Sequence, residues 1–416
     1  VSLLATGAVT GADGGPAPSA DRRRPRLLTV FPSTLRGGTE EYALRISTAA
    51  ARDGWDVHGA WPDAPEMNSF LDEWKDNGMS YHPLSIEVAN DSPRTLTRTH
   101  HALRCARTIS LLWKVRPRVV LLALPWPLFG LGSILGCALY RVPTLVSFQL
   151  VPWAGQVWGK TLAAYQWAHR RRQLWVVNSE DGRRNLCATF HVPPAEVCII
   201  RNGVNVSLFG RPASPAEREA AASELRNEFN LEQNTRLLLT VARLHAQKGY
   251  DDLVDGAMQL SGDFPDVRFL WVGDGDLREH LERRVREAGL SKKVVFAGYR
   301  SDLGRFYRGA DLFVFPTHFE GGSSFALVEA MACGTPVVSS DASGIPEVVQ
   351  NRAHGLLFPA KNVPALVEAT RFALNHPDEM QAMAWRGRER AAELTEEHMC
   401  RNTVDALRRL GRLRVS

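Results

Sequence analysis

At 416 residues the chain is too long for one ordinary core, and two domains are expected. Its apolar (44%) and charged (23%) fractions are those of a soluble globular protein, and its six scattered cysteines, with no CxxC and no accompanying histidine cluster, exclude a disulfide framework or a zinc site and leave a reducing cytosol as the default. The net charge of +5 is unevenly spread: residues 1–210 hold 23 Lys/Arg against 16 Asp/Glu, the remainder 27 against 29. A basic first half suggests an anionic partner, such as an acidic glycan, lipid phosphate or membrane surface; a surface kept soluble by its charges explains it equally well.

Residues 1–24 are rich in Gly, Ala, Pro and Ser and end in a basic cluster. A secretory signal has its charge first, so a disordered tail is expected instead. Order is expected from Arg26, where RLLTVF reads as a strand. Gly37 and Gly38 then lead into a helix that Gly54 ends, and VHGAW reads as the next strand. This βαβ opening has a Gly-rich turn at the strand's carboxyl end, where open α/β sheets bind ligands, but it lacks GxGxxG. The turn reads either as a phosphate contact or as a tight turn with no ligand.

The 21 uncharged residues from Val119 to Leu139 are long enough to span a bilayer. Pro125 and Pro127 divide them, however, into a strand (VVLLAL) and a buried helix, and TLVSF follows as another strand. Residues 156–172 are expected to form a helix bearing tryptophans and the run Arg170–Arg172, read as one buried face with a solvated basic end or as an interfacial helix. Ser179 is a candidate cap for the next helix, VCIIRNGVN closes the half, and residues 209–214 read as a linker.

Three strand–loop units follow: LLLTVARLHAQKGYDDLVDGA, VRFLWVGDGDLREHLERRV and VVFAGYRSDLGRFYRGADLFVFP, which predict a second parallel, doubly wound sheet. The stretch from Phe313 to Asp341 carries two carboxylates, Glu320 in a Gly/Ser loop and Glu329 on a helix expected over residues 325–332. The apolar stripe of that helix is Leu327, Val328 and Met331, which places Glu329 to one side. The loop runs into the helix N-terminus, a ready anion site, while carboxylates beside it suit sugar hydroxyls. Alone, Glu329 reads as readily as a complement to the helix dipole. A basic helix over residues 395–414 closes the chain.

Arg243 with Lys248, Gly273-Asp274-Gly275, Gly298–Arg300 and the two glutamates all lie at expected strand ends, so a parallel sheet gathers them on one edge. A basic pair with a helix N-terminus suits a diphosphate, and carboxylates suit ribose and hexose hydroxyls. At these residues the chain resembles the retaining glycosyltransferases of family 4 (glycosyl transferases group 1). The resemblance rests on GGTE (37–40), RNGVN (201–205), VARLHAQKGYDDLV (241–254), VGDGDLREHL (272–281), PTHFEGG (316–322), LVEAMACGTPVV (327–338) and GIPEVV (344–349).

The resemblance implies an α/β chain of GT-B type: two Rossmann-like, doubly wound domains facing a central cleft. An acceptor domain (25–208) and a nucleotide-sugar domain (215–394) are implied, with a C-terminal helix (395–416) crossing back to the first. The implied donor is a UDP- or GDP-sugar, with no other cofactor, and the implied acceptor is a glycan or lipid-linked sugar in surface polysaccharide or glycolipid synthesis. The location is cytoplasmic, peripheral on the inner face of the plasma membrane if the basic half meets it; no nucleic acid is expected. Arg243 and Lys248 would hold the diphosphate and Glu320 the transferred sugar, these three being the catalytic set. Glu329 would hold the ribose, Tyr299 and Arg300 would meet the base, and Gly37 and Gly38 would approach the phosphates from the other domain. Gly273 and the run Gly321, Gly322, Ser323, Ser324, Phe325 and Ala326 complete the donor set. Gln149 and Asn202 fall on the sugar and acceptor side. Such enzymes retain anomeric configuration, the leaving phosphate taking the acceptor proton; Asp274-Gly275-Asp276 spells DxD but falls in a structural turn, and no metal is expected.

Two departures stand out. Glu320 and Glu329 are nine residues apart where the family has eight, which a bulge in the GGSS loop reconciles. After TLVSF, many relatives place a histidine where this chain has Gln149, which can hydrogen-bond a hydroxyl but not take a proton at neutral pH. A sugar-nucleotide epimerase of the same fold and a non-catalytic sugar-nucleotide binder are the alternatives.

Overall fold

The computed structural model describes residues 24–86, 98–210 and 213–412. The tail expected over residues 1–24 lies, but for Arg24, outside the described residues, as do Arg211 and Pro212 of the expected linker and the last four residues. Two separate parallel sheets carry the chain. The first holds β1 (Arg26–Val30), β2 (Asp56–Trp61), β3 (Ser80–Pro83), β4 (Val119–Leu124), β5 (Thr144–Phe148), β6 (Gln173–Val177) and β7 (Val197–Ile199), in the order β3-β2-β1-β4-β5-β6-β7. The second holds β8 (Arg236–Val241), β9 (Val267–Val272), β10 (Val294–Gly298), β11 (Leu312–Phe315), β12 (Val337–Ser340) and β13 (Leu356–Phe358), in the order β10-β9-β8-β11-β12-β13. The fold is GT-B, with two Rossmann-like α/β domains.

Strand order reverses between β1 and β4 in the first sheet and between β8 and β11 in the second. In open α/β sheets the loops splay apart at such a reversal and leave a crevice at the strands' carboxyl ends. Both reversals open toward the same interdomain space, which is why the site is there.

The uncharged 119–139 stretch divides as its prolines dictate. β4 is buried along its whole length between β1 and β5, and the Leu131–Tyr140 helix packs on the Arg98–Val115 helix. A strand covered on both faces needs apolar side chains at every position, not at alternate ones. Among the described residues no helix is long and apolar enough to cross a membrane. The helix expected from Gln156 begins instead at Gly159, whose left-handed backbone (φ +58°) breaks continuity with the preceding loop, and it ends at His169.

The chain leaves the first sheet at Val204, which bridges Thr395 on the returning segment. The last helix, Glu396–Arg412, lies on the Gly38–Arg52 helix. Its buried residues Met399, Cys400, Val404, Leu407 and Leu410 share one apolar cluster with Leu27, Tyr42, Ile46 and Trp55 of the first domain. Each such side chain fully buried stabilises the contact by about 1.5–3 kcal/mol, so this helix is an integral part of the first domain's packing.

Candidate functional site

The carboxyl edges of the two sheets enclose a cavity of about 2480 Å³. Arg243, Lys248, Gly273, Tyr299, Arg300, Glu320, Gly321, Ser323, Ser324, Phe325, Ala326 and Glu329 line it from the second domain. Gly37, Gly38, Gln149 and Asn202 line it from the first. Of the expected site residues, only Gly322 does not.

On the second domain's wall, β8 and β11 present their loops side by side at the reversal point. Lys248 ends the short Ala246–Lys248 turn, whose Gln247 N–H is taken by the His245 Nδ1. Its ammonium forms an ion pair with Glu320, both side chains being largely buried, and lies 5.5 Å from the Phe315 ring centroid. Gln247 ties the two loops together: its Nε2 donates to the Phe319 carbonyl at 2.9 Å, and its own carbonyl accepts from the His318 N–H at 2.7 Å. Burial, with Arg243 nearby, holds the His245 imidazole below its ordinary pKa, so it is a neutral acceptor here.

The turn after β9 is built on close backbone approach. Gly273 has φ +135°, and a Cβ there would run into the Ala242 carbonyl; one on Gly275 would meet the Leu244 carbonyl oxygen at 2.5 Å. Asp274 braces the turn, its Oδ1 accepting from Gly275 N at 2.8 Å and its carbonyl from Leu244 N at 3.0 Å. Among the described residues no group of three His, Cys, Asp or Glu side chains could hold a metal ion. Tyr299 projects into the cavity with 60% of its surface exposed, whereas the Arg300 guanidinium pairs with Glu228 and donates to the Ala297 carbonyl at 3.1 Å.

Glu329 is not to one side of an apolar stripe. The Phe325–Ala332 helix is buried from Leu327 onward, so amphipathicity does not discriminate among its faces, and Glu329 is only 4% exposed. Its Oε2 accepts from the Tyr307 hydroxyl at 3.1 Å, and its Oε1 from Arg45 of the first domain at 3.4 Å. Burial raises its pKa, while Arg45 and Tyr307 pull it back. Arg45 also pairs with Glu396 at 3.2 Å and lies 4.3 Å from the Phe325 ring centroid, so one guanidinium joins both domains and the returning helix. Ser324 caps the helix without a side-chain hydrogen bond, which leaves its first N–H groups open to an anion.

The loop before that helix packs against the first domain. A Cβ on Gly321 would collide with the Gln149 carbonyl, and one on Gly322 would stand 2.6 Å from the Ser179 Cβ. Gly322, with φ +108°, therefore faces Ser179 and Gly344, not a donor; the expectation that it lines the donor pocket is corrected. Its positive φ is a backbone conformation that favours glycine.

On the first domain's wall, Gly37 caps the Gly38–Arg52 helix in extended conformation, and Glu40 in its first turn is buried beneath. Burial raises the Glu40 carboxyl pKa against the Ser33 hydroxyl, its own N–H and Arg243, and among the described residues its Oε1 has no hydrogen-bond partner. Gln149 is committed internally: its Nε2 donates to Ser147 Oγ at 2.7 Å, and its Oε1 accepts from Asn202 Nδ2 at 3.2 Å. The open acceptor of this amide pair is the buried Asn202 Oδ1. Sequence reasoning missed Arg45, Tyr307 and Glu40 as members of the site. Glu40 was visible in GGTE, but nothing local marks Arg45, whose partner Glu329 lies 284 residues away.

Comparison with known proteins is concordant with this geometry. The model of "Glycosyltransferase Family 4" matches residues 36–208, and that of "Glycosyl transferases group 1" matches residues 222–390. An alpha-maltose-1-phosphate synthase of Mycolicibacterium smegmatis is 28% identical over 306 residues, 68% of this chain and 77% of that protein. A D-inositol 3-phosphate glycosyltransferase of Mycobacteroides abscessus is 33% identical over 193 residues, 44% of this chain and 40% of that protein. An uncharacterized glycosyltransferase of Methanocaldococcus jannaschii is 32% identical over 189 residues, 45% of this chain and 47% of that protein. The chain thus spans about half the length of most of these curated relatives. Among solved structures, Anabaena HepE in complex with UDP and glucose superposes with a TM-score of 0.75 at 19% identity, covering 92% of this chain and 99% of that one.

Proposed function

The chain belongs to the group 1 glycosyl transferases of the family 4 type, and from that premise we propose that it transfers a hexose from a nucleoside-diphosphate sugar to a glycan or lipid-linked acceptor. One observation carries this reading: two cations, two carboxylates and an uncapped helix N-terminus converge at the β8/β11 reversal, facing a second domain across the cavity. UDP is the favoured nucleotide, because the fold neighbours HepE and TarM were crystallised with it; a GDP-sugar is the alternative.

In this reading Arg243, Lys248 and the Ser324–Ala326 N–H groups hold the diphosphate, where negative charge grows as the anomeric C–O bond breaks. Their cationic charge makes a metal ion unnecessary. Glu329 binds the ribose hydroxyls, Tyr299 and the Arg300 backbone meet the base, and Glu320 accepts from hydroxyls of the transferred sugar. The acceptor hydroxyl attacks from the face that the nucleotide leaves and passes its proton to the departing phosphate oxygen, so configuration is retained. Residues 25–208 serve the acceptor and residues 215–394 the donor, and closure of the two excludes water. The enzyme acts in the cytoplasm, in surface polysaccharide or glycolipid synthesis. The exposed Trp113, Leu103 and Leu139 of the basic half favour contact with an anionic membrane. Salt-sensitive pelleting with anionic vesicles tests that contact, and no binding at low salt removes it.

The activity is tested with a panel of UDP-, GDP- and ADP-sugars, following nucleoside diphosphate release with and without glycan acceptors. Acceptor-dependent release is expected. An isomerised donor without release would make the chain an epimerase, and binding without turnover would make it a sugar-nucleotide binder.

A further inference from the structure

Three aromatic rings meet beside the cavity, each from a loop at a strand's carboxyl end: Trp126 after β4 and Trp153 after β5, which line it, and Phe319 after β11, packed against both. The Trp153 and Phe319 centroids are 5.0 Å apart, those of Trp126 and Trp153 5.4 Å, and those of Trp126 and Phe319 5.7 Å. Trp126 stands at the β1/β4 reversal, and Phe319 directly precedes Glu320 at the β8/β11 reversal, so the cluster borders the point of transfer from both domains. Trp153 is 53% exposed, in contrast to the buried Trp61, Trp74, Trp175 and Trp271 of the cores. Trp74 and Trp175 donate their indole N–H to internal acceptors; among the described residues none takes that of Trp126 or Trp153. Phe319 is held in place by its carbonyl, which accepts from Gln247 Nε2 and Thr317 Oγ1 at 2.9 Å each.

We propose that Trp126, Trp153 and Phe319 form the acceptor subsite and that it takes an uncharged pyranose ring, not a phosphorylated or acidic group. The proposal rests on the glycosyltransferase reading above and names its acceptor class. The C–H face of a pyranose is weakly electropositive and stacks on the electron-rich face of an indole, which leaves the ring hydroxyls at the edges for the free indole N–H groups. Charge decides against an anionic acceptor. The loops that present the two tryptophans contain no Lys, Arg, Asp or Glu between Val119 and Tyr140 or between Val142 and Gly159. An anion held there would lose its water without gaining a cation. A lipid chain requires a continuous apolar groove, and the cavity beside this platform is also lined by the polar Gln149 and Asn202 and by the Lys248–Glu320 pair. Because Phe319 comes from the second domain, the platform is completed only when the domains are together.

The test uses the full chain with UDP present. Methyl glucoside, methyl galactoside and methyl mannoside are compared with glucose 1-phosphate and with decanol, by tryptophan fluorescence and saturation-transfer NMR. At least one neutral glycoside is expected to bind, with C–H-face protons in contact. Trp153→Ala and Trp126→Ala should each weaken it roughly tenfold while leaving nucleotide affinity unchanged, and Trp153→Phe should restore most of the loss. Trp153 is half exposed, so its truncation leaves the core intact. Unaltered glycoside affinity in both alanine variants, tighter binding of glucose 1-phosphate than of any neutral glycoside, decanol binding that displaces the sugar, or no glycoside binding beside bound UDP would each overturn the proposal. If UDP, GDP and ADP all fail to bind while glycoside binding still depends on Trp153, the functional reading falls and the subsite stands.

Discussion

Two parts of the cavity, the β8/β11 edge of the second domain and the β4 and β5 loops of the first, differ in their chemistry. The second domain presents ionisable groups: Lys248 paired with Glu320, and Glu329, whose partner Arg45 reaches across from the first domain. The first domain presents, at the ends of β4 and β5, two loops without a charge and with two tryptophans. A nucleoside diphosphate is a constant ligand whose phosphates and ribose demand particular donors and acceptors. An acceptor sugar is matched by shape and ring faces, which many sequences supply. The β8 and β11 loops accordingly carry a motif, and the aromatic β4 and β5 loops carry none.

The largest effect is expected from removing the charge proposed to meet the diphosphate. Arg243→Ala should lower kcat by about 10²–10³-fold, the usual loss when a preorganised group that stabilises developing charge is deleted. Lys248 has two readings, because deleting it also leaves Glu320 unpaired in a largely buried position. The pair Lys248→Met and Glu320→Gln, with the double variant, separates them. If Lys248 serves the leaving group, the double variant stays as impaired as the single one. Recovery of activity in the double variant would reduce Lys248 to a partner for Glu320.

Next in size is the Arg45–Glu329 contact, which joins the two walls. In the proposed reading Glu329 accepts from both ribose hydroxyls as a carboxylate, and protonation would turn one of its oxygens into a donor; burial raises its pKa while Arg45 lowers it. Arg45→Met removes the largest counterweight, so the carboxyl protonates at higher pH. Nucleotide affinity should then fall on the acid side, with the acid limb of its pH profile moved upward and affinity restored at higher pH. A uniform loss at every pH would instead assign Arg45 to direct donor contact. A smaller effect isolates closure from chemistry: Gly321→Ala forces a methyl against the Gln149 carbonyl of the other domain, so kcat should fall several-fold with nucleotide affinity retained. Equal loss of both would place Gly321 on the donor instead.

How much of this was legible in the sequence follows the same division. The doubly wound sheets could be read because a strand buried on both faces writes an unbroken apolar run, as VVLLAL does in β4. The residues lining the second domain's wall could be read because the loops and helix N-terminus that carry them follow such runs. Two things could not. Gly322 looks like its neighbours in the chain, and only the approach of Ser179 from the other domain turns it away from the cavity. Trp126, Trp153 and Phe319 are ordinary aromatics in three distant loops, and their meeting depends on strand order and domain docking, neither of which a local pattern encodes. Gln149 shows a third limit: its residue type was right for a sugar contact, but its two amide ends are held by Ser147 and Asn202.

The smallest effect tests whether the first wall's one buried carboxyl belongs with the charged wall opposite. Glu40 sits beneath the Gly38–Arg52 helix N-terminus with an unpartnered Oε1, and burial raises its pKa above the ordinary 4.5. The folded state therefore binds this proton more tightly than the unfolded chain does. Below pH 4.5 both states are protonated and Glu40 adds nothing. As pH rises, the unfolded chain ionises first, so stability is lost progressively up to the folded pKa and stays lost beyond it. Glu40→Gln removes that slope. The variant should match the wild type in acid and gain on it as pH rises above 4.5, each kcal/mol so gained reading as about 2–4 °C in Tm. Its nucleotide affinity should exceed the wild type's only above the raised folded pKa, where Glu40 is ionised and a carboxylate near Arg243 competes with the diphosphate for that cation. Thermal melts across pH with and without UDP check both expectations. A parallel stability profile would leave Glu329, raised in the same direction, as the source of the slope.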